Sequence, residues 1–107
     1  MNADPPAFIS TLIEMDISPV LHALGDPVRL RIVRELEGGD FRACGTFGHL
    51  GVSASTLSHH FRVLREAGLI ETRREGARRL NRLRRDEVDA RFPGLLDSVL
   101  GATPSLR

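Results

Sequence analysis

The sequence predicts a mainly α-helical domain carrying a small β-hairpin, and three observations lead to it. From Ser53 onward Leu57, Phe61 and Leu64 recur at spacings of four and three, the stripe of a helix with one buried side. Beyond Gly68 the pattern changes to two extended segments, Leu69 to Arg74 and Arg78 to about Leu83, separated by Glu75-Gly76-Ala77. Basic charge is concentrated in this same region. Ser53 to Arg85 holds nine Arg against three Glu, while the stretches before and after it are net acidic, so an overall charge of +1 conceals a strongly basic segment.

Length and composition bound the rest. A chain of 107 residues makes one domain with a marginal core, of the kind a second subunit commonly completes. With no Tyr or Trp and five Phe, aliphatic contacts must carry the packing. No apolar run approaches membrane-spanning length and no secretory leader pattern opens the chain, so the expected location is cytoplasmic, with no membrane partner. The single Cys44 excludes an internal disulfide, in keeping with a reducing compartment. All fifteen positive side chains are Arg. Its planar fork suits phosphate and guanine edges, although GC-rich coding gives the same bias.

Taken in order, residues 1–18 read as an N-terminal arm, since Pro5-Pro6 oppose a helix and Phe8 to Ile13 suits an extended arm, a short strand or disorder. The folded domain is expected over 19–101, with 102–107 a tail. Pro19, as a first-turn proline after Ser18, starts a short helix to Leu24 with Val20, Leu21 and Leu24 as its apolar edge. Asp26-Pro27 starts the next, to about Glu37, because the carboxylate accepts from free amides where proline needs none. Val28, Ile32, Val33 and Leu36 form its buried side, and Gly38-Gly39 closes it. Phe41 to Leu50 is expected to hold a short third helix, weakened by Gly45 and Gly48. Gly51-Val52-Ser53 then turns the chain into the helix described above, which Ser53 caps and Gly68 ends. Its outward side carries Ser55, Thr56, Ser58, His59 and Arg62, short hydrogen-bonding groups suited to a groove. In the hairpin, Leu80 and Leu83 are three apart and cannot share one face of a regular strand, so the second strand should bulge, end early or run directly into the next element. Asp86 caps a turn, and Pro93 begins a last helix to Leu100 whose Leu95, Leu96, Val99 and Leu100 would leave an apolar flank uncovered on a monomer.

Two motifs carry a family resemblance. Ser55-Thr56-Leu57-Ser58-His59-His60-Phe61 followed by Val63-Leu64-Arg65-Glu66-Ala67-Gly68-Leu69-Ile70, and upstream Leu24-Gly25-Asp26-Pro27-Val28-Arg29-Leu30-Arg31-Ile32, resemble the ArsR/SmtB-type winged helix-turn-helix repressors across roughly Pro19 to Leu83. The resemblance implies a dimeric bacterial transcriptional repressor, with the Pro19 helix and the C-terminal helix in a homodimer interface and Arg29 or Arg31 near backbone phosphate. Two recognition helices related by a two-fold axis would enter successive major grooves, so the target is double-stranded DNA with an inverted repeat. Thr56, Ser58 and His59 are the expected base readers, Ser53 and Ser55 fix register on phosphates, and Arg62 can do either. Arg73, Arg74, Arg78 and Arg79 on the wing supply flanking phosphate or minor-groove contacts. His60, beside the apolar stripe, is assigned a buried or half-buried hydrogen-bonding role. It lies about 100° round the helix from His59, which argues against joint chelation.

Family members commonly sense metals, and this chain departs from both familiar patterns. Its third-helix region offers one thiol, Cys44, and Asp86 to Arg107 contains no His. One thiolate cannot fill a three- or four-ligand site. Three kinds of regulation stay open: control by a partner protein or by abundance alone, an atypical nickel or zinc site drawn from His22, His49 and nearby carboxylates within or across subunits, or a redox role for Cys44. An enzyme reading finds no phosphate loop, H-E-x-x-H or nucleophile motif. The remaining rival is a winged helix used as a protein-interaction subunit, since arginine also anchors protein interfaces.

Overall fold

The computed structural model describes residues 15–102; residues 1–14 of the predicted arm and 103–107 of the predicted tail lie outside the described residues, while Met15, expected in the arm, is buried and Ile17 and Ser18 already belong to a helix. The chain runs α1 (Ile17–Leu24), α2 (Pro27–Glu35), a 3-10 turn (Leu36–Gly38), β1 (Arg42–Ala43), a 3-10 segment (Cys44–Leu50), α3 (Ala54–Glu66), β2 (Ile70–Glu75), β3 (Arg78–Leu83), α4 (Arg85–Arg91) and α5 (Leu95–Ala102). The strands form one antiparallel sheet in the order β1-β3-β2. Among the described residues no helix is long and apolar enough to cross a membrane.

Local sequence explains most boundaries. Asp26 Oδ2 accepts from the amides of Val28 (2.9 Å) and Arg29 (3.1 Å), and Pro27 occupies the first helical position of α2. Ser53 caps α3 by accepting from the Thr56 amide at 3.1 Å. At the other end Gly68 takes φ +89° and donates to the Arg65 carbonyl, while the Leu69 amide reaches back to Leu64, the paired bonds of a Schellman stop. The hairpin turn is the two residues Gly76-Ala77 with positive φ at the glycine alone, as a II′ turn requires.

Four boundaries differ from expectation. Helix α1 begins at Ile17 after Asp16, so Pro19 is its third residue rather than its first; a proline amide is dispensable anywhere in the opening turn. The expected third helix is a two-residue strand followed by 3-10 turns, because the Arg42 and Ala43 backbone pairs with Asn81 and Leu80 and the glycines beyond disfavour an α-helix. After the wing it is Arg84, not Asp86, that precedes helix α4, and Asp86 lies within its first turn. The last helix starts at Leu95, since Gly94 takes φ +82°.

The core lies where α3 meets everything else. Leu57, Phe61 and Leu64 join Ile32, Val33 and Leu36 from α2 and its following turn, Phe47 and Leu50 from the 3-10 segment, and Val20, Ala23 and Leu24 from α1. Phe47 and Phe61 meet edge to face at 5.2 Å between ring centres, a favoured arrangement for two quadrupoles. Leu96 and Leu100 are also buried and Leu95 and Val99 half-buried, so the flank expected to be bare on α5 is largely covered within one subunit. Arg34 donates to the Leu100 carbonyl, and Arg85 binds Glu37, Asp89 and Asp97, fastening α5 onto α2 and α4. The exposed large apolar residues among those described are instead Ile17 (43%) and Leu21 (50%), one turn apart on α1.

Gly51 makes the bend between the 3-10 segment and α3 with φ +77°, and a Cβ built there would touch nothing within 4 Å. Gly51→Ala should therefore lose stability through backbone conformation alone, by about 1–2 kcal/mol, read as a lower urea midpoint with an unchanged m-value.

Candidate nucleic-acid interface

The strand register decides which wing residues face α3. Ile70 pairs with Leu83, Thr72 with Asn81 and Arg74 with Arg79, and directly opposed residues share a face. That face begins in the core at Ile70 and Leu83 and ends in solvent at Arg74 and Arg79. The opposite face carries Glu71 with Arg82, Arg73 with Leu80 and Glu75 with Arg78. There Arg82 pairs with Glu71, and Phe41 lies under the guanidinium of Arg73 at 4.1 Å and near that of Arg82 at 5.4 Å. Both Leu80 and Leu83 are buried on a strand that neither bulges nor stops early, because both faces of the wing are covered at its root. Of the three outcomes open to it, β3 runs into the next element: the Arg84 amide bonds the Leu69 carbonyl and α4 begins at once.

Between α3 and the wing lies an open cleft of about 740 Å³, lined by Ser58 of α3, Cys44 and Gly45 of the 3-10 segment, and Arg74, Arg78 and Arg79. A hollow of about 250 Å³ brings Ser55, Ser58, His59, Arg62 and Arg65 together with Arg79. Another of about 280 Å³ joins Arg65 and Thr72 to Arg74 and Arg79. Arg65 is absent from the predicted set, although it continues the outward line of Ser55, Ser58 and Arg62 at helical spacing. The four predicted wing arginines divide: Arg74 and Arg79 share the α3 side, whereas Arg73 is stacked on Phe41 on the far side, and Arg78 pairs across to Glu75 while reaching the large cleft.

The start of α3 is an ordered hydroxyl cluster. Ser53 Oγ donates to Thr56 Oγ1 at 2.9 Å and lies 3.3 Å from Ser55 Oγ, while Arg62 Nη2 is 3.3 Å from His59 Nδ1. Ser53, Ser55, Thr56, Ser58, His59 and Arg62 are all exposed. Such groups offer donors and acceptors on a convex surface whose shape suits a groove, with cations on both flanks.

Behind this surface the polar groups are committed. Asn81, 1% exposed, accepts from Thr72 Oγ1 at 2.8 Å and donates to Cys44 Sγ at 3.1 Å, tying the wing to the 3-10 segment. His60 is 8% exposed, as its position beside the stripe predicts, with Nδ1 3.1 Å from Arg29 Nη1. Arg29 corrects the expectation made of it. At 7% exposure it donates to the Ala23 carbonyl (2.7 Å) and the His22 carbonyl (3.2 Å), so it serves the end of α1 and cannot reach a phosphate; Arg31 keeps part of its surface in solvent.

The metal candidates do not assemble within one subunit. His49 Nε2 lies 2.6 Å from Glu35 Oε2, and Arg42 holds the same carboxylate. Burial pushes the Glu35 carboxyl up, but its bonds to His49 and Arg42 outweigh that and leave it below its ordinary value. His22 sits in the last turn of α1. Among the described residues no three His, Cys, Asp or Glu side chains gather as a metal site would need.

A helix framed by a basic β-wing and preceded by a sharp turn defines a winged helix-turn-helix transcriptional regulator. Residues 26–72 match the family model described as bacterial regulatory protein, arsR family. The chain is 37% identical over 82 residues to the uncharacterized HTH-type transcriptional regulator YceK of Bacillus subtilis, covering 75% of this chain and 82% of that one. It is 35% identical to the arsenical resistance operon repressor of Staphylococcus xylosus, over 69% of this chain and 71% of that one. Among solved structures, the homodimeric winged helix-turn-helix DNA-binding domain Mb0332 of Mycobacterium bovis superposes with a TM-score of 0.66 at 30% identity, covering 94% of this chain and 91% of that one. The chain therefore belongs to the ArsR family of DNA-binding transcriptional repressors, regulators rather than enzymes.

Thr72→Val would remove the donor that satisfies buried Asn81 Oδ1. The expected loss is about 1–3 kcal/mol, larger than for Thr72→Ser, which keeps the hydroxyl; equal losses in denaturant melts would contradict the assignment.

Proposed function

We propose that the protein works as a homodimer that represses transcription by binding an inverted-repeat operator, with α3 of each subunit in one major groove and the wings gripping the flanks. The observation that carries this reading is the placement of Ser58, Arg62 and Arg65 beside Arg74 and Arg79 around one continuous outward-facing surface. Four arginines and a row of hydroxyls there have few carboxylate partners to neutralise them, and a polyanion supplies what is missing. Thr56, Ser58 and His59 read base edges, Ser53 and Ser55 set register on phosphates, and Arg62 serves either purpose. Arg74 and Arg79 are the principal wing contacts, Arg78 reaches the same strand of phosphates from the cleft's rim, and Arg73 contributes from its perch on Phe41.

The dimer reading draws on two things: a similar domain described as homodimeric, and the bare Ile17 and Leu21 on α1, which a second copy would remove from water. Two-fold pairing places equivalent recognition helices about 34–36 Å apart, one turn of duplex. Regulation by a partner protein or by abundance is the reading we favour over metal sensing, because the region before the recognition helix offers one thiol, Cys44, and the chain from Asp86 onward has no His.

Replacing Arg74 and Arg79 together by Ala should weaken binding to every duplex alike and lower the slope of log affinity against log salt by up to about 0.9 for each lost phosphate contact. Loss confined to one base position would contradict that role, and a flat salt dependence in the parent protein would point to the protein-interaction reading. Leu21→Glu should shift the protein to monomer in sedimentation and cost operator affinity more than about tenfold, because one half-site then binds alone; an unchanged dimer would exclude α1 from the interface.

A further inference from the structure

Helix α3 is joined to the corner between α1 and α2 by a buried polar contact whose chemistry admits one protonation state. Arg29 spreads its guanidinium over three acceptors: Nε to the Ala23 carbonyl, Nη2 to the His22 carbonyl and Nη1 to His60 Nδ1 at 3.1 Å. A guanidinium only donates, so Nδ1 must be the acceptor, and the neutral ring carries its proton on Nε2. That edge looks toward Asp26 Oδ2 at 4.0 Å. A proton added to Nδ1 would set donor against donor and cation against cation in a site closed to solvent.

We propose that Arg29 and His60 form a proton-sensitive latch, in which neutral His60 holds α3 against the α1–α2 corner in its DNA-reading position and protonation releases it. The inference rests on the DNA-binding reading and adds to it a means by which acid would lift repression. Both residues are positioning residues: neither can touch the duplex, and each acts by fixing the helix that does. The contact also couples the two ends of the proposed mechanism, since Arg29 grips the last carbonyls of α1, the helix with the bare apolar side.

The charged groups around the imidazole decide the direction. Burial disfavours the imidazolium, Asp26 at the start of α2 favours it, and Arg29 on α2 and His59 on α3 itself oppose it; the balance holds His60 below the ordinary histidine range. From α1 the corner receives main-chain carbonyls rather than a counter-charge. A depressed native value means that the released or unfolded chain binds a proton more readily than the latched one. The latch contributes in full above the ordinary histidine pKa of about 6.5 and is lost as pH falls through and below it.

The test uses the full chain and a duplex enriched from a random-sequence pool by that protein near pH ~7.5. Affinity should fall by up to about tenfold by pH ~5.5, the extra weight that protonation gives a released state whose imidazole titrates near the ordinary value of about 6.5. His60→Asn, whose amide oxygen can accept from Arg29 without titrating, should restore affinity at the lower pH. Imidazole NMR of the parent protein, with no DNA present, should show Nε2 protonated and Nδ1 bare near neutrality, and the amides of α3 should shift with the midpoint of His60. The latch is overturned if Nδ1 carries the proton, if α3 does not respond as His60 titrates, or if the Asn variant loses affinity in acid as steeply as its parent. Failure to enrich any duplex would refute the DNA reading instead, with the NMR measurements still judging the latch.

Discussion

One buried guanidinium sets the relation between the helices on which the rest depends. Arg29 lies within an apolar seam, where an unpaired cation would be prohibitive, and escapes that penalty by directing its donors to two carbonyls at the end of α1 and to the ring of His60. Hydrophobic contacts among Leu24, Ile32, Phe61 and their neighbours press the helices together but leave their rotation loosely specified. The directional bonds of one planar group fix it. Asp26 completes the arrangement: burial raises its carboxyl, yet hydrogen bonds from the amides of Arg29 and Val28 and the charge of the Arg29 guanidinium more than compensate, so it stays ionised at the start of α2.

The wing applies a second constraint of the same kind, through register rather than through a charge. Pairing Ile70 with Leu83 at the root compels Thr72 to meet Asn81 and Arg74 to meet Arg79 farther out, because side chains alternate across a strand. Anchoring in the core therefore aims two cations at α3 some four residues away. On the far face Glu71 neutralises Arg82, Glu75 lies opposite Arg78 and the Phe41 ring covers Arg73, so the surface with surplus positive charge is the one beside the exposed hydroxyls. Asn81 and Cys44 hold this sheet to the 3-10 segment, which makes wing and helix-turn-helix a single unit rather than a hairpin on a stalk.

Elements specified by close neighbours along the chain are legible in the amino-acid order itself. The caps at Asp26 and Ser53, the stop at Gly68, the turn at Gly76 and the stripe of α3 all arise from contacts within a few residues, and each is present in the fold. The burial of His60 is implied by its place beside that stripe. Strand β1 could not be foreseen, because two residues have no pattern of their own and are extended only through pairing with Asn81 and Leu80 far along the chain. Arg29 escaped for a related reason. An arginine on a helix is ordinarily solvated, and nothing local announces that two carbonyls and an imidazole wait for it.

The sequence alone determined the fold class, the position of the basic segment and the hydroxyl-bearing face of α3, since periodicity, capping chemistry and charge density are properties of short stretches. Tertiary structure alone decided which arginines face α3, that Arg29 is buried as a strut, and that the bare apolar surface lies on α1 rather than α5. Those outcomes depend on what packs against each side chain from distant parts of the chain, and burial of a charge or a leucine is fixed by that company rather than by the residue itself.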